Sequence, residues 1–403
     1  MAKAYIIGTC DTKGSELGFM RDLIAAAGVP TCLVDVSAGP EGAGDTRVDV
    51  KAIEVAACHP DGYKAVQGLA DRGEAVAAMK IALVHFMAGR ADIGGVIGAG
   101  GSGNTDLVAA ALRSLPVGLP KMLVSTVGSG DVSPYVGPSD IAMVYSVTDV
   151  AGFNKISRKV LGNAAHAMAG MLANTVPEAA DRPAIALSMF GVTTPCVEMV
   201  RDALEARYDC LVFHATGTGG QSMEKLADSG LVVGAIDATT TEVCDHIAGG
   251  VFSAGPERFD RQAASGLPYV GSCGALDMVN FGARETVPAR YEERTFYIHN
   301  ANVTLMRTTP EECEAIGTFI GEKLNTFTGP VRFLIPEKGV SLIDAEGQPF
   351  FDPAADAVLF ATLKATVQET ANRRVLSLPL HINDPAFAAA LVDSWNEIAG
   401  EPV

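Results

Sequence analysis

The stretch Ile93-Gly-Gly-Val-Ile-Gly-Ala-Gly-Gly-Ser-Gly-Asn-Thr-Asp-Leu-Val-Ala-Ala-Ala-Leu112 constrains the fold more than any other part of the chain. An apolar run that reads as a buried strand meets a cluster of glycines, and a helix-like segment opens at Asn104. Strand, glycine turn and helix in that order form a βα unit, and repeated units of this kind build parallel sheets with helices on both faces. The turn also suits an anion. Glycines let backbone N–H groups converge, and the start of a helix adds partial positive charge.

The alternation extends in both directions. Strands are expected at 4–8, 31–35, 93–97, 121–125 and 141–145, helices at 16–27, 73–87 and 104–112, and a Gly/Asp-rich loop at 39–50. A helix-like segment over 153–174 leads to the polar stretch Pro177-Glu-Ala-Ala-Asp-Arg-Pro183, a proline-bounded domain boundary. The pattern then restarts. A strand at 184–190 precedes a helix begun by Thr194-Pro195, with Thr194 as its cap, and further strands follow at 210–214, 231–236, 294–298, 331–335 and 375–378. The halves echo each other: Met20-Arg-Asp-Leu against Val200-Arg-Asp-Ala, and Gly100-Gly-Ser-Gly103 against Gly217-Thr-Gly-Gly220. The expected fold is therefore α/β, with two Rossmann-like, doubly wound domains of mainly parallel sheet. Residues 1–180 are expected to form a nucleotide-binding α/β domain and 181–403 a second α/β domain.

Charge narrows the partners. With 30 basic against 47 acidic residues the net charge is −17, and without a Lys/Arg-rich run a nucleic-acid surface is excluded. Charged residues make up 19% of the chain, fewer than the roughly 25% of ordinary domains, so much surface is buried between layers, domains or subunits; a homodimer or larger is expected, with an internal core as the alternative. No apolar run approaches the ~20 residues of a membrane span. The eight cysteines form no C-x-x-C pair, and Ala4-Tyr-Ile-Ile7 follows the initiator without a signal-like segment, so a reducing cytoplasm is expected.

Chemistry is expected at the carboxyl ends of the strands, where open α/β sheets collect ligands. After the first strand, Gly8, Thr9, Asp11, Thr12 and Lys13 offer hydroxyls, a carboxylate for Mg²⁺ and a cation for phosphate, although Asp11 or Thr12 as a mere helix cap is an alternative. Gly100, Gly101, Ser102, Gly103 and Thr105 would cradle the phosphate. Gly98-x-Gly100-x-x-Gly103 matches the dinucleotide fingerprint in form, but it follows a later strand, and Ser125 stands where the next strand would carry an acidic residue for NAD. The Walker lysine is missing too, so a non-Walker mononucleotide site fits better. In the second half Gly217, Gly219 and Gly220, with Thr239 and Thr240, are candidate substrate contacts, and Asp237 is a candidate base or second Mg²⁺ ligand. Thr239-x-x-Glu242 can equally be a capping box. His214 and His299 each close a strand-like run, a good place for acid/base work, though core or interface histidines are as compatible with the pattern.

Several long segments carry a resemblance. Ile7-Gly-Thr-Cys-Asp-Thr-Lys13, Gly98 to Thr105, Asp237-Ala-Thr-Thr-Thr-Glu-Val243, Gly274-Ala-Leu-Asp-Met-Val-Asn-Phe-Gly282 and His299-Asn-Ala-Asn-Val-Thr-Leu-Met-Arg-Thr308 resemble the Tm-1-like ATP-binding family, UPF0261. The resemblance implies two Rossmann-like subdomains, ATP with Mg²⁺ as ligand, and a homodimer. In larger relatives a TIM-barrel domain follows, so a separately encoded barrel protein is an expected partner. Two classes of function stay open. One is an ATP- and Mg²⁺-dependent enzyme whose small organic substrate sits in the interdomain cleft, with Gly217 to Gly220 facing the Gly100 turn. The other is a non-catalytic nucleotide-sensing or partner-binding module. An NAD enzyme is the further alternative.

Overall fold

Short apolar runs buried on both faces can satisfy their backbone only by pairing side by side, with helices covering what remains. The structure, a computed structural model, describes residues 2–38, 47–66, 69, 71–177 and 182–400. Most of the expected loop at 39–50 lies outside the described residues. The chain divides into two units, Met1–Ala179 and Ala180–Val403.

In the first unit the order is β1 (Lys3–Gly8), α1 (Cys10–Ala26), β2 (Thr31–Asp35), α2 (Ala52–Ala56), α3 (Arg72–Ala88), β3 (Ile93–Gly100), α4 (Ser102–Ser114), β4 (Lys121–Ser125), α5 (Ser133–Val136), β5 (Ala142–Tyr145) and α6 (Lys155–Ala173). Among the described residues the five strands form one parallel sheet in the order β2-β1-β3-β4-β5. On one face Leu83, Phe86, Leu107 and Leu112 pack on Tyr5, Ile7 and Val96; on the other Leu17, Met20, Leu161 and Met168 pack on Ile6, Ile97 and Val124. This is the doubly wound α/β architecture expected.

The second unit repeats it. It runs β6 (Ala184–Met189), α7 (Thr194–Leu204), β7 (Asp209–His214), α8 (Thr218–Asp228), β8 (Ala235–Thr239), α9 (Glu242–Ala248), α10 (Asp260–Ser265), β9 (Tyr269–Gly274), β10 (Met278–Phe281), β11 (Phe296–Asn300), β12 (Val303–Arg307), α11 (Pro310–Asn325), β13 (Val331–Pro336), α12 (Pro353–Thr366), β14 (Arg373–Leu378) and α13 (Pro385–Ala399). Its parallel sheet has the order β14-β13-β9-β8-β6-β7, and β10-β12-β11 form a separate antiparallel sheet. Taken in chain order, both parallel sheets start in the middle, step to one side, and then return to build out the other. The direction therefore reverses between β1 and β3 in the first unit and between β6 and β8 in the second. Crevices beside such reversals are where these sheets bind ligands.

Several local expectations change. Helix α1 begins at Cys10, not Glu16, so Asp11, Thr12 and Lys13 stand on its first turns. Gly98 and Gly100 belong to β3, which leaves Gly101 alone as the N-cap between strand and helix. Thr193, not Thr194, precedes α7. Strand β8 begins at Ala235, not Leu231, and Asp237 is its middle residue. The Thr239–Glu242 capping box does not form: Thr239 ends β8, Thr241 is the N-cap, and Glu242 is already in the helix with its carboxylate turned to another element. The expected echo of Gly100–Gly103 in Gly217–Gly220 is not an echo of place. The first turn follows the third strand of its sheet and the second follows the second strand, so the positional counterpart of Gly101 is the threonine turn after β8.

Candidate functional site

At the reversal point of the first unit two helix starts lie side by side, and the protein treats them differently. The first amides of α1 are already taken. Asp35, at the end of β2, accepts from Cys10 N at 3.0 Å, and the Ser37 hydroxyl, itself bonded to Asp35, accepts from Asp11 N at 3.1 Å. The amides of Ser102, Gly103 and Asn104 precede the first helical acceptor of α4, and none has a partner among the described residues. Asn104 joins the two turns, accepting from Thr9 N at 3.2 Å and donating to Ala99 O at 3.0 Å.

The glycines point the same way. Gly101 has an extended backbone (φ −80°, ψ −172°) open to any residue, and a Cβ there would meet only Thr126 Oγ1, at 3.9 Å. A Cβ on Gly103 would meet nothing within 4 Å. The fold itself does not require glycine at either place. Glycine at both places leaves open space around the start of α4.

Thr126 also opens a cavity of about 370 Å³ at the ends of β4 and β5, lined by Tyr145, Ser146, Val147, Thr148 and Asp149. Thr148 N donates to Ser146 O at 2.7 Å across Val147, whose φ is +64°. A tight turn of this hand on a β-branched residue is strained, and such strain collects at binding and catalytic sites. Thr105 lies beneath the turn, its hydroxyl held by Gly101 O and Ser125 Oγ. Thr9 and Thr12 share a hydroxyl contact at 3.1 Å, Asp11 is half-exposed beside them, and Lys13 has no salt-bridge partner among the described residues.

The glycine turn of the second unit is built differently. Gly217 N and Gly220 N both donate to Glu242 Oε1, at 2.7 and 3.0 Å, so the protein supplies its own anion at the start of α8. A Cβ on Gly219 would lie 1.7 Å from His214 O, and one on Gly220 2.0 Å from Glu242 Oε2. Here the fold does require glycine.

Behind this turn lies a group that the sequence reading did not assemble. Arg258, fully buried, donates to Asp237 (2.7 Å), Glu242 (2.9 Å) and Glu224 (2.9 Å), and Tyr269 adds a hydrogen bond to Asp237 at 2.9 Å. Thr239 and Thr240 are fully buried as well, bonded to Thr193 and to Ser272 O. A second buried cation, Arg307, holds Asp356 at 2.6 Å near Asp344 and Asp277, bringing together the motifs at 274–282 and 299–308 through the β10–β12 pair. Asp245 accepts from Asn280 N and Phe252 N.

Burial raises the carboxyl groups of Glu224, Glu242, Asp277 and Asp356, and that of Asp245 to about 7. The sign follows. Above the ordinary carboxyl range the folded state binds more protons than the unfolded one, so stability is lost as pH rises through the raised values. Trp395, the sole tryptophan, is buried in the second unit. Urea titrations followed by its fluorescence should give a lower midpoint at pH 8.5 than at pH 6; an equal or higher midpoint would mean that these carboxylates are fully compensated.

His214 and His299 do come together. They line one cavity of about 260 Å³ in the second unit, at the ends of β6 and β7 and against the β11–β12 hairpin. Among the described residues no group of three His, Cys, Asp or Glu is placed to hold a metal ion, and no helix is long and apolar enough to cross a membrane.

Two doubly wound α/β units, the first with an open amide-rich turn at its reversal point, define a two-domain Rossmann-like protein. Family models agree in extent: the N-terminal domain of the Uncharacterised protein family (UPF0261) matches residues 2–177 and its C-terminal domain 182–399. A UPF0261 protein of Mesorhizobium japonicum is 58% identical over 393 residues, covering 97% of this chain and 98% of its own. One from Rhizobium meliloti is 56% identical over 399 residues, covering 99% of this chain and all of its own. The ToMV resistance protein Tm-1 of Solanum lycopersicum is 41% identical over 420 residues, which cover 98% of this chain but 56% of that protein. The chain belongs to the Tm-1-like UPF0261 family.

Proposed function

We propose that the first unit binds ATP with Mg²⁺, its phosphates at the start of α4 and its nucleoside along the cavity at the ends of β4 and β5. One observation carries the reading: Gly101 and Gly103, which the fold does not need as glycines, leave open space at a helix start whose first amides have no partner among the described residues. An anion brought to those amides meets both the free N–H groups and the positive end of the helix. In a chain of net charge −17, that local donor set is what would hold phosphate. Of the two aspartates considered for Mg²⁺, Asp11 is accessible on the first turn of α1, whereas Asp237 is fully buried against Arg258. Bound Mg²⁺ would offset phosphate charge and polarise the phosphoryl oxygens. Lys13 would add a second positive charge. Calorimetry with Mg²⁺ and ATP should show saturable binding at one site per chain. The absence of heat with ATP, ADP and GTP would overturn the reading, and binding of NAD in their place would favour the dinucleotide alternative.

A second reading, ATP-dependent chemistry on a small organic substrate, is favoured by the shared cavity of His214 and His299 in the second unit.

A further inference from the structure

The cavity that holds His214 and His299 has a composition unlike the rest of this acidic chain. Its walls are aromatic and aliphatic. Phe190 and Phe252 meet edge to face with centroids 6.3 Å apart, and the ring of His214 lies 5.4 Å from that of Phe190. The polar groups reaching it are the two imidazoles, the Thr216 hydroxyl and the Asn300 side chain. Neither imidazole has a hydrogen-bond partner among the described residues, and no Asp or Glu lines the space, although the chain has 47 of them. Asn300 Oδ1 accepts from Asn302 N at 2.8 Å, and the Asn300 amide N–H groups have no partner among the described residues.

We propose that this cavity binds a small organic monocarboxylate, its apolar body resting against the contacting rings of Phe190 and Phe252 and its carboxylate met by His214 and His299. A largely apolar cavity of this size, open to solvent on the side of His214, His299 and Asn300, rewards burial of a ring or short hydrocarbon, and its donors without acidic neighbours favour an anion over a cation. Two imidazoles lacking a third ligand do not make a metal site. The proposal names the substrate class for the second reading above and rests on the second unit alone, so it can be tested without nucleotide.

The test uses the full chain with ¹⁵N-labelled histidine, assigned through the His214→Gln and His299→Gln variants, and benzoate as probe. Saturable shifts of both imidazole signals are expected, with benzyl alcohol binding at least tenfold more weakly. The double variant should lose benzoate affinity at least tenfold while melting at the native temperature. Three results would overturn the proposal: histidine signals unmoved by benzoate, benzyl alcohol binding as tightly as benzoate, or a folded double variant with native affinity. A response to inorganic phosphate matching that to benzoate would also overturn it, because the apolar walls would then contribute nothing. Failure here with intact ATP binding leaves the nucleotide reading standing, and the reverse holds equally.

Discussion

Gly101→Val should reduce ATP affinity by about a hundredfold or more, equivalent to roughly 3 kcal/mol, while the protein keeps its fold. Valine accepts the extended backbone of residue 101, and its Cβ would come no closer than 3.9 Å to Thr126 Oγ1. The structural penalty is therefore that of a poorer N-cap residue, about 1 kcal/mol or less. The branched side chain, however, takes up open space at the start of α4 that a phosphate bound there would need. Gly219→Ala is the control with the opposite profile. Its Cβ would stand 1.7 Å from the carbonyl of His214, so the β7–α8 turn must move, at a cost of about 3 kcal/mol or more. Calorimetry with Mg²⁺ and ATP, beside urea unfolding, separates the two glycines. Native ATP affinity in Gly101→Val would place the nucleotide elsewhere, and native stability in Gly219→Ala would show that the turn yields easily.

The contrast between those two turns marks how far the sequence could be read. Both are glycine-rich, both follow a strand, and both start a helix, so a linear reading treats them alike. What separates them is Glu242, which reaches Gly217 and Gly220 from another helix, and no such carboxylate serves α4 among the described residues. Elements with strong local signals were legible to the residue: β2 occupies Thr31–Asp35 and β4 Lys121–Ser125, as expected. Helix α1 was misplaced by six residues for a physical reason. Cys10-Asp-Thr-Lys-Gly-Ser15 has weak helix propensity and reads as a loop. It becomes helical because Asp35 and Ser37, 25 and 26 residues away, hold its first amides. His214 and His299 were each singled out, but their meeting in one cavity depends on the β11–β12 hairpin, which folds back from a separate sheet. Arg258 carried no signal at all. It stands in an ordinary polar segment and gains its role only through three carboxylates contributed by α8, β8 and α9.

That dependence makes Arg258→Leu the substitution expected to weaken the second unit most. The guanidinium is fully buried and ion-paired to Asp237, Glu242 and Glu224, which are buried too. Removing one partner of a buried pair costs about 3–5 kcal/mol, because the remaining charge is left without compensation. Three carboxylates would be affected at once. Glu242 would keep the amides of Gly217 and Gly220, and Glu224 those of Phe259 and Arg261, but Asp237 would keep only the Tyr269 hydroxyl. The damage should depend on pH in a definite direction. Burial already raises the carboxyl groups of Glu224 and Glu242 while Arg258 opposes the rise, so its loss raises them further. The folded variant then takes up protons that the unfolded chain releases, and the proton-bound form relieves the unpaired charge. The stability deficit against the native chain should therefore be smaller at pH 5.5 than at pH 8. Urea unfolding followed by Trp395 fluorescence measures both values on the unit concerned. Arg258→Lys should fall between the native chain and Arg258→Leu, since an ammonium keeps the charge but cannot span three carboxylates with a planar fork. An equal deficit at the two pH values would mean that the carboxylates repack or reach water, and that Arg258 acts there through shape instead of charge.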